Sequence, residues 1–204
     1  MSSNSGPQSA YSIETGPPRK ERADAAQNRA RILDAAERLF AEHGESNVSM
    51  DQIAAEAHVG KGTLFRRFGD KAGLAVALLD SRERELQAAI LTGPPPLGPG
   101  APPEERLPAF LRAYVDFLDK HLDLVHMFET ARPGARYDVG AYRLWHRHVA
   151  ILIAQARPEA DAEFLAHALL APLNAEHRMA LRDEVDADRM RAGLSALARA
   201  ILRG

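Results

Sequence analysis

Val48-Ser-Met-Asp-Gln-Ile-Ala-Ala-Glu-Ala-His-Val-Gly-Lys-Gly-Thr-Leu-Phe-Arg-Arg-Phe68 is the most specific stretch of this chain. Ser49 and Gln52 stand at capping-box spacing, where each side chain satisfies a backbone N–H of the other residue, and Val48 and Ile53 occupy the positions of a hydrophobic staple. A short helix is predicted there, with Ile53, Ala54 and Ala57 buried. His58-Val59-Gly60 then breaks the chain, and a second short helix is predicted over Lys61 to Phe68. Leu64 and Phe68, four apart, face a core with Ile53 and Phe40. Two short helices joined by a tight break and packed on a preceding helix describe a helix-turn-helix.

The flanks agree. Ile32, Ala36, Leu39 and Phe40 recur on one face of a helix beginning near Asp24 and stopped by Gly44. Gly69-Asp70 opens a longer helix, Lys71 to about Leu91, with Leu79, Leu86 and Ile90 on one side. Between residues 60 and 71 four cations (Lys61, Arg66, Arg67, Lys71) meet one anion (Asp70), a local net of +3 in a chain of net charge −2. Cations beside the backbone N–H groups of a helix end suit phosphate. Gly62 has no side chain to hold a partner's backbone away. Arg66 is the foremost base reader, since a guanidinium grips guanine O6 and N7 with two bonds; a phosphate contact is its alternative.

Outside this stretch composition does most of the work. The 204 residues carry 26 Lys+Arg against 28 Asp+Glu, so any nucleic-acid surface is a patch rather than a global basic charge. The absence of cysteine excludes disulfides, thiolate metal sites and a cysteine nucleophile. The longest apolar run, Val149 to Ala154, is far short of the ~20 residues that span a bilayer, so a cytoplasmic protein without a membrane partner is expected. Residues 1–23, rich in Ser, Gly and Pro before a charged cluster (Arg19, Lys20, Glu21, Arg22), are expected to form a flexible arm. These arm cations and Arg29 are candidates to reach DNA, with solvated charge as the alternative. Residues 93–103, GPPPLGPGAPP, read as a surface loop.

Helical stripes fill the remainder: Leu107, Phe110, Leu111, Tyr114 and Leu118; a short segment from Leu122 to Thr130; a break at Arg132-Pro133-Gly134; Trp145, His148, Val149, Leu152 and Ile153; Leu165 to Leu173, kinked at Pro172; and Met190, Leu194, Leu197, Ala198 and Ile201 in a last helix from Asp186 to Leu202. The expectation is all-α, about nine helices and no strand.

At Arg31–Gly44 and Val48–Leu74 the chain resembles the tetracycline-repressor (TetR) family, over about residues 29–74, without a gap. The resemblance implies an N-terminal three-helix DNA-binding domain (24–70) followed by a helical effector-binding and dimerisation domain (71–204). It implies base or backbone contacts from Lys61, Thr63, Phe65 and Arg67, and phosphate contacts from Lys71 and Ser49. The family usually has Gly, Ser, Tyr and His where this chain has His58, Gly60, Phe65 and Arg67. Phe65 lacks a hydroxyl for phosphate, and Arg67 adds a full charge. The resemblance further implies a homodimer formed through the last two helices, a palindromic double-stranded DNA operator and repression relieved by a small-molecule effector. Independently, two recognition helices one turn of DNA apart give a specificity that one lacks.

Tyr114, His126, Phe128, Glu129, Tyr142, Trp145 and His148 cluster in the middle helices and suit an at least partly apolar ligand cavity, with ordinary core packing as the alternative for each. No histidine pair has metal-ligand spacing, and no catalytic motif stands out, so neither metal, cofactor nor catalytic residue is expected. The rival reading is a helical small-molecule-binding protein or enzyme with a non-functional helix-turn-helix.

Overall fold

The computed structural model describes residues 19–130, 135–138 and 140–204. Helix α1 (Arg19–His43) starts five residues before the expected Asp24, because the good helix formers of RKERADAA follow directly on Pro18. It stops at Gly44, whose φ of 78° suits a residue without Cβ. After a 3-10 turn, Glu45–Asn47, comes α2 (Met50–Glu56). Its capping box forms: the Gln52 N–H donates to Ser49 Oγ at 3.3 Å, and the Ser49 N–H donates to Gln52 Oε1 at 2.8 Å.

The break between α2 and α3 (Lys61–Phe68) is a Schellman turn. The Val59 N–H reaches the Ala54 carbonyl at 3.0 Å and the His58 N–H reaches Ala55 at 3.1 Å, with His58 itself at φ 53°. Helix α4 (Lys71–Thr92) is capped by Asp70, which accepts from the Gly73 N–H at 2.8 Å.

The first core joins Ile32, Leu33 and Ala36 of α1, Ile53 and Ala54 of α2 and Leu64 of α3 to Leu74 and Leu78 of α4 and Leu124 of α6 (Leu122–Thr130). The second core takes Leu86 and Ile90 from the other half of α4. Helix α4 thus belongs to both of these cores, and its Leu79 joins a third cluster with Leu118, Val125 and Ala175. Around the second core, α5 (Pro103–Lys120) lies along α11 (Ala187–Arg203), and α8 (Gly140–Ala156) packs on α9 (Ala162–Leu170). A single turn, α7 (Ala135–Asp138), precedes α8.

The expected kink at Pro172 is a full break. Helix α9 ends at Leu170, and α10 (Ala175–Leu181) begins anew under Asn174, whose side chain accepts from the His177 N–H at 2.8 Å. Proline lacks the N–H that would continue the ladder, and a fresh cap makes restarting cheaper than bending. This break and α7 bring the described residues to eleven α-helical segments rather than about nine, with no strand. No helix among them is long and apolar enough to cross a membrane. Residues 1–18, the Arg132-Pro133-Gly134 break and the side chains of Arg19, Lys20 and Arg22 lie outside the described residues.

Candidate functional site

Burial of Leu64 orients α3. With Leu64 wholly inside and Phe68 packed at the core edge, Lys61, Gly62, Phe65, Arg66 and Arg67 are exposed and Thr63 is half-buried. Phe65 keeps 46% of its surface in solvent. A Cβ added at Gly62 would meet nothing within 4 Å, so the fold itself makes no demand for glycine there.

The cations of this face are held differently. Lys61 pairs with Asp51 of α2 at 2.5 Å, between two exposed side chains. Arg67 turns back along α3 and donates to the Ala25 carbonyl of α1 at 2.5 Å. Lys71 reaches the Glu45 carbonyl at 2.9 Å and its carboxylate at 3.3 Å. Arg66 is exposed and makes no hydrogen bond or ion pair with the described residues. Ser49 is exposed beside them, committed to its cap. The surface therefore presents one uncommitted guanidinium beside an exposed ring, flanked by cations in solvent-accessible pairs that a phosphate can replace.

A second candidate site lies in the body. Tyr114 (α5), Phe128 and Glu129 (α6), and Tyr142 and Trp145 (α8) line one small chamber of about 30 Å³ with Leu79, Glu83, Phe117 and Arg136. Of the seven residues expected at a ligand site, five converge there. His126 is not in the wall, and His148 sits behind it, edge-on to Phe110 at 5.1 Å. Burial, and the charge of Arg106, hold the His148 imidazole down at about 4, so it is neutral at pH 7.

Glu129 accepts from the Ala175 N–H at 2.8 Å and stands 3.8 Å from Arg136. Burial leads in raising its carboxyl above the usual range. Arg136 donates to the Leu170 carbonyl at 3.0 Å and lies 5.2 Å over the Tyr142 ring. Glu83 has no hydrogen-bond or ion-pair partner among the described residues, and burial, aided by the like charge of Asp80, raises it to about 7. The chamber shares Leu79, Glu83, Phe128 and Ala141 with an outer groove of about 710 Å³ that runs beside α4 to Gly73.

Glu83 and Arg136 were not identified from sequence. Glu83 did leave a signal: it falls four after Leu79 and three before Leu86, in the middle of the apolar stripe of α4. Arg136 left none, since it belongs to no apolar stripe of the sequence.

Comparison with known proteins gives three results. Residues 32–78 match the family model described as bacterial regulatory proteins, tetR family. An HTH-type transcriptional regulator of Staphylococcus aureus (strain USA300) is 51% identical over 69 residues, 34% of this chain and 36% of that protein. The likeness thus spans about a third of the length of such curated relatives. Over the whole fold, a TetR-like transcriptional regulator from Rhodococcus sp. RHA1 is 25% identical with a TM-score of 0.60, covering 87% of this chain and 96% of that one. A transcriptional regulator from Saccharomonospora viridis, solved in complex with choline, is 24% identical with a TM-score of 0.63, covering 84% and 95%, a likeness of fold.

Proposed function

We propose, from the match of residues 32–78 to the tetR family of bacterial regulatory proteins, that the chain is a TetR-family homodimeric transcriptional repressor whose grip on an operator is released by a small molecule. The carrying observation is the outward face of α3, where Arg66 and Phe65 stand exposed on an intact three-helix core. In this reading α3 enters the major groove, Arg66 reads a base edge, and Lys61, Thr63, Arg67, Lys71 and Ser49 meet backbone or neighbouring bases, with Gly62 allowing close approach.

Dimerisation through α9 and α11 is supported by their exposed apolar residues, Phe164 at 66% and Leu197 at 46%. Large apolar side chains left outside mark surfaces that a partner covers. A second copy places a second α3 at the distance a palindromic operator demands.

Release is assigned to α4. Its first half is core to the reading head and its second half is core to the body. The chamber beside Leu79 and Glu83 holds only about 30 Å³, so a ligand entering from the groove must spread α4 from Phe128 and α6. A ligand favouring that spread form draws the population away from the DNA-binding form. The choline complex of the Saccharomonospora viridis regulator is a case of a similar fold holding a small molecule.

The test is binding of purified protein to its own upstream intergenic DNA and to unrelated DNA at two salt concentrations. Sequence-selective binding that weakens steeply with salt is expected, with a footprint of two half-sites. Equal, weak binding to both DNAs favours the rival reading of a body whose head no longer reads DNA.

A further inference from the structure

The wall of the chamber does not balance its charges. Glu129 and Arg136 face each other across 3.8 Å, and Arg136 is further held by the Leu170 carbonyl and the Tyr142 ring. Asp80, on the groove side, is paired with Arg84 at 2.9 Å. Among the described residues Glu83 alone has no counter-charge: two carboxylates and one guanidinium of those residues give the chamber a charge of −1 when Glu83 is ionised. The surrounding surface is aromatic. Tyr114 stacks on Phe117 at 6.0 Å and tilts against Trp145 at 5.7 Å, and Phe128 closes the outer side. The Tyr114 hydroxyl has no hydrogen-bond partner among the described residues, and burial keeps it protonated, a donor or acceptor at the chamber's end.

An unpaired carboxylate in a pocket of ring faces is costly when empty and complementary to one kind of occupant. An organic cation neutralises the carboxylate, lays apolar substituents on the rings and is attracted by their quadrupoles. An anionic occupant would have to bring its charge beside Glu83 and Glu129 to reach the Arg136 Nε and Nη1 atoms, which are buried without a hydrogen-bond partner among the described residues.

We propose that the effector is a small organic cation, an ammonium bearing apolar groups, whose charge sits against Glu83 and whose body packs on Tyr114, Phe117, Phe128 and Trp145. This rests on the ligand-released reading above and narrows it to one chemical class. The groups facing Glu83 are Asp80 and Arg84 on α4, Tyr114 on α5, Glu129 on α6, Arg136 on α7 and Tyr142 on α8. Since Glu83 is ionised only in part near neutrality, cation binding expels a proton and tightens as pH rises.

The experiment is calorimetry of the full chain with choline and benzyltrimethylammonium, against 3,3-dimethylbutanol, the uncharged carbon isostere of choline. Binding of at least one ammonium is expected, at least about tenfold tighter than the isostere. Between pH 6 and pH 8 its affinity rises by about tenfold, with proton release read from buffers of different ionisation enthalpy. Glu83→Gln loses both the affinity and the pH dependence while its circular dichroism stays unchanged, and Phe128→Ala loses affinity but keeps the pH dependence. Equal binding of the isostere, an unaltered Glu83→Gln affinity or no heat from either ammonium overturns the proposal. In that last case a thermal-shift screen separates the two levels. A response to neutral or anionic compounds removes the cation and keeps ligand release, and a screen without responders removes both.

Discussion

Arg82 of α4 donates to the carboxylate of Glu37 in α1 at 2.8 Å, and the other oxygen of Glu37 lies 3.0 Å from Nζ of Lys120 at the end of α5. His121 stands 3.4 Å away and Asp34 takes a second bond from Arg82. One carboxylate therefore ties α1 to both α4 and α5. Burial opposes its ionisation, but the bonds and charges of Lys120 and Arg82 outweigh that and hold Glu37 below the usual carboxylate range. Glu37→Gln keeps the shape and removes the charge. An expected loss of about 1–3 kcal/mol in urea unfolding goes with DNA binding less responsive to ligand. Unchanged stability and response would show that the cluster is ornamental.

Arg66 and Lys61 separate reading from holding. Arg66→Ala is expected to cost about 1–3 kcal/mol at the operator and to relax preference at one base position. Lys61→Ala is expected to weaken all DNA alike and to lower the salt slope by about one. Fluorescence anisotropy on operator variants at several salt concentrations distinguishes the two.

His58 occupies the left-handed position of the Schellman turn at φ 53°, where the resembling family usually has glycine. His58→Val forces a β-branched residue into that region and is expected to destabilise by about 1–2 kcal/mol. His58→Gly is expected to be neutral or stabilising, read as the melting temperature.

Gly73 is demanded by contact rather than by φ. A Cβ there would come within 2.2 Å of the Phe68 carbonyl, a backbone atom that cannot swing away. Gly73→Ala is expected to push α3 off the start of α4, weakening operator binding while its mass in solution stays that of the wild type. Wild-type affinity from this variant would show that the α3–α4 junction tolerates the shift.

Protonation acts on stability in two directions. Burial holds His121 and His148 at about 4. Their unfolded values are near 6.5, so the unfolded chain binds more protons in between and stability is lost as pH falls from about 6.5 towards 4. His148→Gln is expected to flatten that slope. Glu83, raised to about 7, runs the other way: its folded state holds a proton that the unfolded state releases near 4.5, so stability is lost as pH rises through 7. Glu83→Gln is therefore expected to melt higher than wild type at pH 8 and alike at pH 4.5, without ligand.

The head was legible because its signals are local. The Ser49–Gln52 box, the Gly44 stop and the Leu64–Phe68 spacing each act within one or two turns; α3 has the predicted extent, and α2 lies between the Ser49 cap and the break at His58. The stripe Leu107, Phe110, Leu111, Tyr114 and Leu118 is buried as its period requires. Pro172 was legible as a disturbance but not as a break, because Asn174 decides that by capping a new helix.

The sequence alone determined an all-helical chain with a cation-rich helix-turn-helix at its front, because capping and helical period are set by neighbours along the chain. Only the tertiary structure decided that Arg67 turns back to Ala25 while Arg66 stays uncommitted, that α4 serves two cores and that the half-buried Glu83 lines an aromatic chamber. A helix's own residues set its faces, but the dielectric and the partners at each face come from helices tens of residues away, and those depend on packing of the whole chain.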